Sequence, residues 1–575
     1  MGTDLVVRFA GEGGQGVVTA AEGLAQAAAR VGYHVQTFST FPSQIKGGPT
    51  WAQTRISTEP VLAAGDELDI LVVLNRYAYD HNLEDCRDEG IVVYNSGDFE
   101  IEDRGRCVGM EVDRLARETG NPLAANMVMI GAVAALAGMP AEYFTDFIRE
   151  RFTRGRANDD AIIEGNIKAL DLGMSAVQAT GLTVAGLDPP PPTAGTRVLM
   201  RGFEATSLGA IAAGLDVFVG YPISPATTML TFMERYLTGA GSYVGQSSSE
   251  IESITALVGA GFSGKRAMTS TAGPGLSLMS EGLGLAWMAE IPLVVVNVQR
   301  GGPSTGLPTK TEQSDLLTVL NPGHGDLRIP VIAPGSVEEC FYAGAHAINW
   351  AERYQGPVIL LSEASIAERQ QDVPRPQLSA IRPERRVTVN GSGPAEGDGP
   401  PLRYRGEQLT PFPVPGGPGA YVANGSEHDE HGDTTHLPKW HLQMTHRRFG
   451  KLALLEEDLY ESEGTEASVA LLPWGGSRGP ARAAYLALRD RGDLAWYYTM
   501  FLNPLPPALL EELRAKELVI VPELNYLGQF AGLLRQQGVR AEAITQYTGL
   551  PFKERFLTER IRERLEARTG ELVSV

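Results

Sequence analysis

The sequence predicts an α/β protein of several units, and three observations carry that prediction. Short β-branched apolar runs alternate with longer helical stretches along the chain. Several of these runs end in glycine-, serine- or proline-rich turns that lead into a helical pattern. A proline tract, DPPPP at 188–192, cuts the alternation, because proline fits neither a helix interior nor a central strand.

The first unit spans 1–180, with strands expected at LVVRFA, HVQTF, ILVVLN and IVVYN and a helix at AANMVMIGAVAALAG. A linker is expected at 181–196. The second unit, 197–380, has strands at DVFVGYPI, RAMTST, PLVVVNVQ, IPVIAP and PVILLSE. An irregular segment rich in Gly, Pro and His follows at 381–465. The third unit, 466–575, has strands at SVALLPWG, LAWYYTM, LVIVPEL and RAEAITQ, and closes with a mixed-charge helix, FKERFLTERIRERLEAR.

The formal net charge of −20 argues against non-specific binding to nucleic acid or anionic membranes. Cys86, Cys107 and Cys340 are the only cysteines and form no C-x-x-C. An iron–sulfur cluster ligated wholly by this chain is therefore excluded, and a reducing cytoplasm is the expected compartment. MGTDLVVRFA carries no secretory pattern, and no apolar run approaches the roughly 18 residues of a membrane span.

Two familiar nucleotide motifs fail on context. Gly11, Gly13 and Gly16 of GEGGQG match G-x-G-x-x-G, but no acidic residue follows the second strand HVQTF before Glu59 to hold a ribose hydroxyl. The turn remains either an anion cradle at a helix N-terminus or a tight turn without ligand. GAGFSGKR (259–266) has Arg266 where a P-loop needs Ser or Thr, and its glycines end a helix.

Gly397-Asp398-Gly399 with Asn424 imitates a diphosphate–magnesium motif without the strand–turn–helix to hold it. His428, His431, His436, His441 and His446 crowd one stretch, yet form no H-E-x-x-H; a loop role is expected ahead of a metal site. The densest chemistry lies at four strand ends: YPISPAT (221–227), SSSEIES (247–253), TSTAGPGLSLMSEG (269–282) and QRGGPSTGLPTKTEQSD (299–315). Ligands of open α/β sheets bind outside the C-terminal strand ends.

These strand-end segments resemble the α subunit of 2-oxoacid:ferredoxin oxidoreductases, through YPISP, SSE, TSTAGPGLSLM and QRGGPSTG. GEGGQGVVTA with FPSQIKGGPT resembles the family's γ module, fused ahead of α, and EHDEHG (427–432) and TGLPFKE (548–554) also match family segments. The resemblance implies a γ module, a pyrimidine-type thiamine diphosphate domain and a transketolase C-terminal-like domain, all α/β. It implies CoA-dependent oxidative decarboxylation of a 2-oxoacid with ferredoxin as electron acceptor. Thiamine diphosphate is shared with a β subunit that carries Mg²⁺ and a 4Fe-4S cluster, in an expected (αβ)₂ assembly.

On this resemblance Glu250 bonds the aminopyrimidine N1′, with Glu252 as the alternative, and Tyr221, Pro222 and Ile223 line the thiamine side. Arg300, assisted by Ser224 and Thr271, binds the substrate's 1-carboxylate. Lys310 or Lys46 supplies the second cation that 2-oxoglutarate needs, and Gly13, Gly14, Gln15, Gly16 and Lys46 contact CoA. Phe203 stands where the family often has Asn. Pyruvate, indolepyruvate or a branched-chain 2-oxoacid is the alternative substrate, and a non-catalytic assembly subunit the alternative role.

Overall fold

The computed structural model describes residues 2–40, 47–101, 105–121, 124–192, 195–389, 402–406, 409–417, 419 and 421–573. Among them no helix is long and apolar enough to cross a membrane. The chain forms two compact units.

The first unit comprises Met1–Arg201, Glu368–Arg375 and Lys553–Arg555. Its eight-stranded sheet runs Cys107–Met110, Cys86–Asn95, Leu68–Val73, Asp4–Glu12, Pro49–Ser57, His34–Thr40, Gln370–Pro374, Arg197–Arg201. The first four strands are parallel and the remaining neighbours pair antiparallel. Asp4–Glu12 and His34–Thr40 are thus separated by the antiparallel strand Pro49–Ser57, so the parallel βαβ neighbourhood of a dinucleotide site does not exist here.

Pro49–Ser57 was not among the expected strands, because PTWAQTRIS holds few apolar residues. It forms through pairing on both edges, with Gln53 accepting from the buried Arg8 (Nε 3.0 Å) and Thr54 Oγ1 donating to Ala21 O (2.8 Å). Beneath the sheet, helices Ala125–Leu136 and Asp159–Gln178 touch backbone to backbone. A methyl on Gly131 would strike Leu170 O, and one on Gly173 would strike Val128 O.

The 181–196 stretch is no free linker. Gly2 N donates to Gly186 O (2.8 Å), Asp188 N to Gly2 O (3.0 Å), Tyr33 OH to Asp188 O (2.9 Å) and Val184 N to Leu136 O (3.0 Å). Those bonds satisfy backbone groups that the prolines leave outside any helix or strand.

The second unit comprises Gly202–Ala367, Pro376–Phe552 and Phe556–Val575. Its seven-stranded sheet runs Phe501–Asn503, Val331–Ile332, Pro357–Glu363, Leu293–Gln299, Ala267–Thr271, Val217–Gly220, Tyr243–Gln246, parallel except for Phe501–Asn503. A five-stranded sheet runs Glu461–Glu463, Leu494–Tyr498, Val469–Leu471, Leu518–Glu523, Ala541–Thr545, parallel except for its first strand.

Expected boundaries therefore shift. Arg197–Arg201 and Gln370–Pro374, both assigned by sequence to 197–380, complete the first unit's sheet instead. Residues 466–575 do not stand apart from 202–367. One apolar core runs through both sheets, with Trp350 stacked on Phe501 (5.0 Å between centroids) and Trp474 and Tyr497 buried in it. Separation would expose those aromatics to water.

The described part of 381–465 is anchored by charge. Arg447 Nε (2.7 Å) and Lys451 Nζ (3.0 Å) bond the Glu290 carboxylate, while Arg403 Nη2 donates to Glu290 O (3.0 Å), all four side chains being buried. Burial alone would raise the Glu290 carboxyl, but Lys451, Arg447 and Arg403 together hold it well below the carboxylate range. Burial pushes Lys451 down to about 7, against the pull of Glu290.

His428 is wholly buried, its Nε2 on Met288 O (3.2 Å) and its ring on Tyr404 (4.0 Å), whereas His441 pairs with Glu427 (2.6 Å). Among the described residues no metal-holding group of His, Cys, Asp and Glu exists. Gly397-Asp398-Gly399 lies outside the described residues.

Candidate active site

The seven-stranded sheet delivers its four chemistry-bearing turns from the C-terminal ends of neighbouring parallel strands. Val217–Gly220 runs into Tyr221, Pro222, Ile223 and Ser224; Tyr221 and Ser224 are exposed, Pro222 and Ile223 half-buried. Tyr243–Gln246 leads to the Ser247–Ser249 turn, which opens the helix Glu250–Phe262.

The cap fixes which glutamate faces inward. Ser249 Oγ accepts from Glu252 N (3.2 Å), and the Glu252 carboxylate accepts from Ser248 N (2.7 Å) and Ser248 Oγ (2.5 Å) on the exposed side. Glu252 is therefore committed to the cap, which lowers its pKa through those Ser248 bonds. Glu250, 6% exposed, lies beside Gly275 and Thr271, for a methyl on Gly275 would strike both Thr271 Oγ1 and Glu250 Oε1.

Among the described residues no group is seen bonded to the Glu250 carboxylate, and its oxygens are not among the buried unpaired atoms, so they stay open to a ligand. A carboxyl group so placed can share a proton with an aminopyrimidine ring nitrogen, and the site suits the pyrimidine half of thiamine diphosphate.

Leu293–Gln299 ends at Arg300, 7% exposed, whose Nη1 donates to Ser224 O (2.6 Å). Its Nε is buried without a partner, and no carboxylate lies within ion-pair distance among the described residues. Burial lowers the Arg300 pKa, with Asp315 opposing. The loop beyond closes on itself: Gly301 N donates to Lys310 O (3.0 Å) and Leu307 N to Gly301 O (2.8 Å). Lys310 is half-buried, with no carboxylate partner among the described residues, and burial lowers its pKa.

Three further residues join this site. Asp315 receives Asn297 Nδ2 (2.9 Å), donates its backbone N–H to Gln299 Oε1 (3.1 Å) and lies against Gly273. Burial raises its carboxyl, with Asn297 and Arg300 opposing. An Asn closing the valine run of VVVNVQ is the signal that sequence reasoning passed over. Phe203 is buried edge-on to Phe232 (6.1 Å), so a packed aromatic occupies that position.

The glycine turn belongs to the first unit and is a separate feature. Gly14 (φ +98°) and Gly16 (φ +79°) adopt the left-handed conformation that glycine favours. Glu12 N donates to Gln15 Oε1 (2.7 Å), and Gly13 N donates to Gly48 O (3.0 Å). Gly16 caps the helix Val17–Val31 without a side-chain bond, leaving its first-turn N–H groups for an anion. Lys46 lies outside the described residues.

The family model for pyruvate ferredoxin/flavodoxin oxidoreductase matches residues 6–176. The model for its thiamine diphosphate-binding domain matches residues 208–445. The 2-oxoglutarate oxidoreductase subunit KorA of Mycobacterium tuberculosis is 33% identical over 99% of this chain and 93% of its own. A 2-oxoacid:ferredoxin oxidoreductase α subunit of Aeropyrum pernix is 30% identical over 92% of this chain and 93% of its own.

Among solved structures, the 2-oxoglutarate:ferredoxin oxidoreductase of Magnetococcus marinus, with 2-oxoglutarate, coenzyme A and succinyl-CoA bound, superposes with a TM-score of 0.91. It is 34% identical and covers 98% of this chain and 100% of that one. A chain so matched along its length, with a thiamine-type site built on its strand ends and a γ-type module ahead of it, belongs to the 2-oxoacid:ferredoxin oxidoreductase family as a fused γ–α subunit.

Proposed function

We propose that this chain is the α subunit of a cytoplasmic enzyme that converts 2-oxoglutarate, CoA and oxidised ferredoxin to succinyl-CoA, CO₂ and reduced ferredoxin. The carrying observation is a pair of cations in one loop, Arg300 and Lys310, neither held in an ion pair among the described residues, with Asp315 acting on Arg300 only from beyond ion-pair distance. A dicarboxylate substrate would engage both cations at once. The Mycobacterium relative is named for 2-oxoglutarate, and the Magnetococcus structure holds it.

Thiamine diphosphate, when bound, supplies the electron sink for breaking the substrate's C1–C2 bond. Glu250 would share one proton with the aminopyrimidine N1′, donating to it when the carboxyl holds the proton and accepting from it when N1′ does. Arg300, steadied by Ser224 O, grips the 1-carboxylate through charge-assisted hydrogen bonds, and Thr271 contributes its hydroxyl. Lys310 takes the distal carboxylate. Tyr221, Pro222 and Ile223 flank the pyrimidine. A β subunit brings Mg²⁺, the diphosphate site and the 4Fe-4S cluster, and ferredoxin docks there.

Lys310→Met tests the substrate. In the reconstituted αβ complex it should lower kcat/KM for 2-oxoglutarate by about 10- to 100-fold, the value of one charge-assisted hydrogen bond, and leave pyruvate nearly unaffected. Wild-type enzyme turning over pyruvate faster than 2-oxoglutarate overturns the assignment.

The Gly13–Gly16 turn, closed by Gln15 and bonded through Gly13 to Gly48, two residues after Lys46 in sequence, is read as the CoA phosphate contact. Lys46→Ala should raise KM for CoA several-fold more than KM for 2-oxoglutarate. Equal changes would make the γ module structural.

A further inference from the structure

The loop that carries Arg300 and Lys310 is mostly solvent-exposed between Gly302 and Leu307, and the bonds of Gly301 to Lys310 and Leu307 run within it. Something else must fix where it stands. One anchor is the strand end at Gln299, and the other is the strap at 311–317, which is held from outside the seven-stranded sheet.

Gln313 is wholly buried, and all four of its polar groups are used. Nε2 donates to Trp474 O (2.8 Å), Oε1 accepts from Leu524 N (2.9 Å), the backbone N–H donates to Leu524 O (2.7 Å), and the carbonyl accepts from Asn525 Nδ2 (3.0 Å). Trp474 and Leu524 follow the strands Val469–Leu471 and Leu518–Glu523 of the five-stranded sheet. Gln529 adds a second clamp, its Nε2 donating to Ser314 O (2.7 Å) and its Oε1 accepting from Leu317 N (3.0 Å).

On the other side of Gln313, Thr311 N donates to Gly549 O (3.3 Å). Gly549 has φ +74° and lies against Lys310, where a methyl would sit 2.8 Å from Lys310 Cβ. Segments that follow strands of the five-stranded sheet thus hold the chain on both sides of Gln313, from Thr311 to Leu317, across Asp315, which borders the Gly273 turn.

We infer that the C-terminal sheet is the positioning element of the 2-oxoacid site, and that Gln313 and Gln529 are the positioning residues that hold the Arg300–Lys310 loop in register. The inference rests on the proposed substrate role of that loop. The sheet touches no substrate; it sets the distance between two cations that must meet two carboxylates at once. A misplacement of about 1 Å is enough to cost a large factor in such a site.

The experiment compares Gln313→Ala, Gln529→Ala and Lys310→Met in the αβ complex. Both glutamine variants should raise KM for 2-oxoglutarate about tenfold, while KM for CoA and the affinity for thiamine diphosphate stay within about twofold. A purely structural role would lower the active fraction and leave both KM values alone. If Gln313→Ala fails to assemble, Gln529→Ala, which keeps the buried Gln313 network, decides. Should Lys310→Met raise KM while an assembled glutamine variant does not, the positioning role is overturned and the substrate reading stands. If none of the three raises it, the loop is not the substrate site and both fall.

Discussion

Glu250→Gln is expected to lower kcat of the assembled enzyme by about 10²- to 10⁴-fold, the range for removing a positioned acid–base group. The exchange is isosteric, so packing against Gly275 and Thr271 survives. What is lost is a group able to take up and release a proton, which the neighbouring Thr271 hydroxyl cannot replace near neutral pH. Glu252→Gln is the matched control, since its carboxylate serves only the Ser248 cap. It should change stability little and leave turnover unchanged. Steady-state reduction of ferredoxin, read beside the melting temperature of both variants, separates the effects. Turnover above half of wild type in Glu250→Gln would make the strand-end residues inert and favour an assembly role.

The second large effect concerns folding. Glu290→Gln leaves Arg403, Arg447 and Lys451 buried around a neutral amide, and losing the carboxylate partner of a buried ion cluster costs about 3–5 kcal/mol. Because the folded-state pKa of Glu290 lies below its unfolded value, its contribution is fully present above about pH 4.5 and is lost as pH falls through the folded pKa. Lys451, held at about 7 by burial against the pull of Glu290, titrates lower in the variant, so the stability gap between wild type and Glu290→Gln should widen as pH falls from about 8 to 6. Below about pH 4.5 it should narrow by about 1.4 kcal/mol per pH unit. Urea titrations at several pH values measure it. A gap that keeps widening below about pH 4.5 would contradict the charge assignment.

The strand ends of the candidate site were legible because apolar runs stop at turns of small residues, and that break is local. YPIS, SSE, TAGPG and QRGG all sit where the alternation places them. Elements stabilised by distant partners were not legible. Pro49–Ser57 and Arg197–Arg201 carry too many polar residues to announce themselves, and Gln370–Pro374 becomes a strand only between two others. KTEQSD looks like a solvated loop, yet Gln313 is buried because every polar group finds a partner more than a hundred and fifty residues downstream. Glu290 meets Arg403, Arg447 and Lys451 across a similar gap, which no local periodicity records.

The placement of Gln370–Pro374 between His34–Thr40 and Arg197–Arg201 also bears on biosynthesis. The first module cannot close its sheet when residue 201 leaves the ribosome; it waits until residue 374 has been made. At about 5–20 residues per second, that delay is on the order of ten to thirty seconds. Throughout it, His34–Thr40 presents an open strand edge, the kind of template that recruits unwanted partners. A gene cut after Arg201 would make that transient edge permanent. Fusion of the two modules has left the earlier one dependent on a strand lent by the later.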